Sequence, residues 1–187
     1  MNTQVFYDTD CLECFLFVDA GYILEELFSK IIIPEQVYNE LMDNNTPSIG
    51  NTNFNKLYDG FVETREIKFE SPEYTAYKAI EKGLWSKTGK ICGSGESAAM
   101  ALAHLNDGIV ASNNLSDVEE YIGSLDIELI TSSMILSKAF EKDIVSETTA
   151  NSLWKGMLNE GINLPKGSFS DYYGELYRKD CEKFLKG

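Results

Sequence analysis

The run Ile31-Ile32-Ile33 followed at once by Pro34 constrains this chain more than any other stretch. Three successive β-branched residues suit a strand buried on both faces, which is the habit of a parallel sheet. Proline then fits the first turn of a helix, where its missing N–H has no partner to lose. The segment from Pro34 to Met42 has helical character, with Val37, Leu41 and Tyr38 facing inward and Glu40 close to that face. Parallel strands need crossover connections, usually helical, so the rest of the chain should alternate strands and helices. Residues 4–7 read as a strand, and Asp8, Thr9 or Asp10 can cap a helix starting near Cys11. Gly21 interrupts that run, and helical spacing resumes over 23–28. Residues 108–112 and 128–131 are further short apolar strands, and 132–142, 146–159 and 168–185 read as helices. Between these, 44–55 is rich in Asn, Thr, Ser and Gly and reads as a loop. Residues 54–61 read as a turn or two of helix, 62–69 as a strand with one wet face, and 72–85 as a helix. The expected architecture is a three-layer α/β/α sandwich on a short, mostly parallel sheet. It forms one domain over 1–187, with a variable insert around 44–90 and helical closure around 132–187.

The stretch from Gly93 to Gly123 carries the chemistry. Gly93, Ser94 and Gly95 open a helix of small residues, and Glu96 sits in its first turn, where the helix dipole favours a carboxylate. The strand that follows ends in Ser112, Asn113 and Asn114, with Asp117 one turn beyond. Ligands of open α/β sheets bind at the C-terminal ends of strands. Asp8 follows the first strand and Glu40 lies on the helix after the second, so four acids converge on one sheet edge. Each alone has an ordinary explanation: Asp8 as a cap, Glu96 as a dipole partner, Glu40 as a half-exposed helix residue, Asp117 as a capping group. Together they would repel unless a divalent cation neutralised them. Hard ions such as Mg²⁺ or Mn²⁺ take oxygen ligands, keep several waters and leave room for a phosphate. The chemistry that follows is phosphodiester hydrolysis.

Charge qualifies this picture. The net charge is −14, with a pI near 4.4, which opposes non-specific adhesion to nucleic acid. A nucleic-acid substrate would have to be met through metal ions or a local basic strip, and Lys87 and Lys90 are the candidates to grip its phosphate. Cys11 and Cys14 have CxxC spacing but lack the second pair of a zinc ribbon and the Gly and Pro of a redox motif, so they read as buried thiols. His104, the single histidine, sits mid-helix and suits packing better than base catalysis. No basic leader and no apolar run of about 20 residues occurs, so the expectation is a cytoplasmic protein with no membrane partner.

At these residues the chain resembles the PIN domain family, particularly the branch containing toxin nucleases of toxin–antitoxin pairs. Asp8-Thr9-Asp10-Cys11-Leu12 is similar to the first motif of that family, Ile33-Pro34 through Glu40-Leu41 to its second, and Gly95-Glu96 with the Ala-rich helix to its third. The resemblance implies a metal-dependent endoribonuclease, with Asp8, Glu40 and Glu96 around one or two Mg²⁺ or Mn²⁺ ions. It also implies RNA as substrate, and an antitoxin protein or a second copy as partner. One position departs: the family's Thr/Ser-x-Asp after the third strand is here Ser112-Asn113-Asn114. Asn114 offers a carbonyl oxygen but no charge. Asp117 is one substitute for the missing acid and Asp10 another; the expected metal set is Asp8, Glu96, Asp117 and Asn114, with Asp10 and Ser112 in support. The competing expectation is a catalytically degenerate module that binds a protein or nucleic acid.

Overall fold

Apolar residues on alternate sides of very short strands decide the layering. The computed structural model describes residues 4–42 and 48–186. Five strands form one all-parallel sheet in the order β3-β2-β1-β4-β5: β1 Val5–Tyr7, β2 Ile31–Pro34, β3 Val62–Arg65, β4 Ile109–Ala111 and β5 Glu128–Ile130. Val5 and Tyr7 enter one buried cluster and Phe6 the other; Ile31 and Ile33 part from Ile32 in the same way. Period-two alternation thus feeds both faces of the sheet.

On the first face pack α1 (Thr9–Phe17), α2 (Gly21–Leu27), α3 (Glu35–Met42), α4 (Ser48–Phe61), α8 (Ser132–Glu141), α9 (Glu147–Asn159) and α10 (Phe169–Glu175). On the second lie α5 (Pro72–Glu81), α6 (Ser94–Leu105), α7 (Leu115–Leu125) and the end of α11 (Tyr177–Phe184). The result is a three-layer α/β/α sandwich. In α6, Ala98, Ala99, Ala101 and Ala103 are all fully buried, and these small side chains let α6 lie close against β1, β2 and β4. Strand order reverses between β1 and β4, which places the fold's natural binding crevice at their C-terminal ends.

Four local expectations change, the first being the helix expected over 72–85, which ends at Glu81. Of the loop expected over 44–55, residues 44–47 lie outside the described residues, and 48–55 belong to α4. Buried Phe54 and Leu57, with the Asn53 side-chain amide donating to the Leu16 carbonyl at 2.7 Å, override the polar composition. The strand expected over 62–69 stops at Arg65 and becomes the edge of the sheet. The helix expected over 168–185 breaks at Leu176, where α10 gives way to α11; Gly174 just before it weakens helical continuity. Among the described residues no helix is long and apolar enough to cross a membrane.

Gly108 lets β4 come alongside β1. A Cβ there would stand 2.6 Å from Phe6 Cε2 and 2.9 Å from the Gln4 carbonyl oxygen. Gly108→Ala should therefore lower unfolding free energy by about 1–3 kcal/mol. Urea titration should show this as a lower midpoint at unchanged slope.

Candidate active site

Asp8 caps α1 from the end of β1. Its Oδ1 accepts the Thr9 N–H at 2.7 Å and its Oδ2 accepts the Ser112 hydroxyl at 3.1 Å. Ser112 is itself fully buried at the end of β4, so the first hydrogen-bond partner across the β1–β4 crevice comes from the adjacent strand. The carboxylate is only 4% exposed. Burial holds the Asp8 carboxyl well above the usual carboxylate range, and repulsion from Asp10 and Glu96 adds to that. These two donors partly offset the desolvation and do not remove it.

Three helices bring further carboxylates to the same edge. Asp10, in the first turn of α1, accepts the Asn113 N–H at 3.1 Å; burial raises its pKa. Glu96 closes the start of α6 with the N3 half of a capping box, its Oε2 accepting the Gly93 N–H at 2.9 Å. Its other oxygen, Oε1, accepts a hydrogen bond from Asn114 Nδ2 at 2.6 Å. Partial burial lifts the Glu96 pKa, with Asp117 and Asp10 adding to it. Glu40 arrives from α3 and accepts the Thr9 hydroxyl. Gly95 is what makes room: a Cβ at that position would lie 2.9 Å from Glu40 Oε2, 3.0 Å from Asp8 Oδ1 and 3.0 Å from Val37 Cγ2. Oxygens of Asp8 and Glu40 therefore crowd the space of one missing methyl group.

Asp117 meets this group indirectly. Asn114 Nδ2 donates to Asp117 Oδ2 at 2.9 Å as well as to Glu96, so one neutral amide bridges two carboxylates. Ser116 hydroxyl bonds to Asn114 Oδ1 at 2.8 Å fix which end of the amide faces the acids. Lys90 Nζ pairs with Asp117 Oδ1 at 2.7 Å, which lowers the Asp117 pKa and raises that of Lys90. Lys87 sits exposed in a turn whose backbone N–H groups donate to Glu120. The structure thus gathers Asp8, Asp10, Glu40, Glu96, Ser112, Asn114 and Asp117, with Lys90 at the rim and Lys87 further out.

Two residues escaped the sequence reading. Asn113 is a structural hub: its N–H holds Asp10, its Nδ2 donates to Cys14 Sγ at 3.0 Å, and its Oδ1 accepts from Ser132 N and Oγ at 2.9 and 3.0 Å. An Asn in a polar turn after a strand was the only signal. Glu13 follows Asp10 by three residues on α1, the spacing of helical neighbours; burial, then Asp10 and Glu40, raises its pKa.

The CxxC pair and the histidine lie outside this chemistry. Cys11 and Cys14 are buried and free, and burial pushes the Cys14 thiol up to about 12, which keeps it protonated. His104 Nδ1 donates to the Leu125 carbonyl at 2.9 Å from the last turn of α6, the end away from Glu96.

Among the described residues no three acid, Cys or His side chains are already spaced to grip an ion. The donors themselves still fit a hard cation. The carboxylates supply only oxygens, burial first and then mutual repulsion raise the proton affinity of Asp8 and Glu96, and Gly95 keeps the space between Asp8 and Glu40 clear.

A family model described as a PIN domain matches residues 4–174. No curated protein matches the chain.

Asp8 also makes a pH prediction. A carboxyl with a raised folded-state pKa binds its proton more tightly folded than unfolded, so its contribution to stability falls as pH rises above its unfolded value of about 3.9. Asn keeps the cap without the charge. Asp8→Asn should therefore raise the metal-free Tm at pH 7–8, by about 2–4 °C per kcal/mol relieved. The gain should shrink as pH is lowered toward 4. Differential scanning calorimetry across that range checks it, and a gain independent of pH would contradict it.

Proposed function

This chain belongs to the PIN domain family, whose members are generally nucleases, and from that premise we propose that it is a Mg²⁺- or Mn²⁺-dependent endoribonuclease that hydrolyses phosphodiester bonds in RNA. The observation that carries the proposal is the crowding of Asp8, Glu40 and Glu96 oxygens around α6 at the β1–β4 crevice. Asp8, Glu96 and Asp117 would hold the ion, and Asn114 would join them through Oδ1 once its amide turns over, since Nδ2 is the end that faces Glu96 and Asp117. A divalent ion bound there supplies an activated water and stabilises charge on the phosphate.

The residues of the chain do the rest. Asp8 is aimed by the Thr9 N–H and the Ser112 hydroxyl, so its oxygens cannot turn away from the crevice. Glu40, bonded to Thr9, holds the side of the site nearest α3. Asp10 is fixed by Asn113 and keeps a second carboxylate beside Asp8. Lys90 gives the rim a positive charge where an RNA phosphate would approach. A role as the toxin of a toxin–antitoxin pair, with an antitoxin protein or a second copy as partner and the cytoplasm as its place, extends the same reading.

One observation favours a second reading. Asn114 stands where the family's acid is expected, and its amide already donates hydrogen bonds to both Glu96 and Asp117. That suits a degenerate module which binds a partner without cutting.

Metal response and cleavage separate the two. The nuclease reading expects Mn²⁺ or Mg²⁺ to raise Tm and to support cleavage of RNA that EDTA stops. Glu96→Gln should keep the helix cap but lower kcat/KM by about 100-fold or more. Asn114→Asp should lower the metal-free Tm, because a half-buried bridging donor becomes a third repelling acid, at a cost of about 1 kcal/mol, and should steepen the rise with Mn²⁺. No metal response in the wild type together with metal-supported cleavage gained by Asn114→Asp would establish the degenerate module instead.

A further inference from the structure

Three aromatic rings run from the open rim of the molecule to the start of α6. Phe69, in the turn after β3, is 73% exposed. Its ring meets Tyr74 of α5 at 5.0 Å between centroids, and Tyr74 meets Tyr77 at 6.4 Å, both edge to face. The Tyr77 hydroxyl bonds to Ser94 Oγ at 2.9 Å, two residues before Glu96. Because β3 is parallel to β2 and β2 to β1, the chain leaves β3 toward Phe69 at the same sheet edge where it leaves β1 toward Asp8. Phe69 packs into neither buried cluster, so the fold does not require its ring.

The charge balance makes those rings matter. With a net charge of −14, and with Lys78 and Lys90 already paired to Glu81 and Asp117 at 2.6 and 2.7 Å, phosphate neutralisation is a poor source of affinity for RNA. Stacking on an aromatic face is a source of affinity for a base that does not itself come from charge. Bases within a duplex are stacked on each other and have no free face to offer, whereas unpaired bases do.

We propose that Phe69, backed by Tyr74, is a stacking platform for an unpaired base of the RNA strand whose phosphodiester lies at Asp8 and Glu96. The inference rests on the ribonuclease reading above. Tyr74 meets the ring of Phe69 at an interplanar angle of 64°, and most of the Phe69 side chain stays exposed. The Tyr77–Ser94 bond ties this platform to the capped end of α6, so the distance from stacked base to scissile bond is fixed by rigid elements.

The test is steady-state cleavage, in Mn²⁺, of an unstructured RNA oligonucleotide and of the same sequence in a blunt duplex. Wild type, Phe69→Ala and Phe69→Trp are compared, with a 2-aminopurine placed in the strand to report stacking. Phe69→Ala should raise KM about tenfold or more, with kcat little changed and Tm unaltered. Phe69→Trp should restore KM and the fluorescence quenching, and the duplex should be cut poorly by all three. Cleavage of the single strand with unchanged KM in Phe69→Ala, or duplex cleavage as efficient as single-strand cleavage, would remove the platform and leave the ribonuclease reading standing. A wild type that neither binds nor cuts any of these RNAs would overturn the ribonuclease reading and the platform with it.

Discussion

Electrostatic crowding around Asp8 is the constraint on which the rest of the structure depends. A carboxylate with 4% exposure stands at the end of the central strand, and other acids approach it from α1, α3 and α6. Burying one unpaired charge is costly, and burying several of one sign is more so. The fold meets this with ordered donors: the Thr9 and Asn113 N–H groups, the Ser112 and Thr9 hydroxyls and the Gly93 N–H each satisfy one carboxylate oxygen. Elements that look unrelated serve this end. The alanines of α6 allow its close approach to the sheet, and Gly95 leaves space that any side chain would fill. An environment built to hold anions together at such cost is one that a cation would relieve.

Asn114 and Lys90 set the state of the site without an ion. A neutral amide bridging Glu96 and Asp117 reduces their repulsion without supplying charge, and Lys90 draws the Asp117 carboxyl below the usual carboxylate range. An Asp at that position would leave three acids facing one another, tightening the grip on a cation and loosening the empty fold. The Asn therefore shifts the balance between ion affinity and stability of the empty site, which is why the same residue supports both readings of function. Lys90, expected from the sequence to hold phosphate, sits at the rim but is paired to Asp117.

What was legible in the sequence was local. Ile31–Pro34, the capped entry at Asp8 and the small-residue helix after Glu96 announce themselves through short-range spacing, and each folds as a unit. The order of strands and the two-faced sheet follow from their alternation with helices. The edge strand β3 was harder to bound because every residue in it is half-buried and no apolar run marks its end. Helix α4 was hidden by its polar composition, since two buried side chains and one amide-to-carbonyl bond hold it from outside. In the site, the role of Asn113 was hidden for the same reason. Asn113 acts on Asp10, 103 positions earlier, and no local pattern encodes a contact made only by chain crossing. The convergence of Glu40 and Asp8 on Gly95 is also of this kind: spacing suggests each acid, and only the packed α3 and α6 show that they share one space.

The account's central claim is that this crowded edge is a cation site. The direct measurement is an anomalous difference map from crystals of the full chain soaked in Mn²⁺. A peak in the crevice between β1 and β4, within bonding distance of Asp8 and Glu96 oxygens, is the predicted result. A map with no peak there, or with manganese only on surface acids elsewhere, would contradict it.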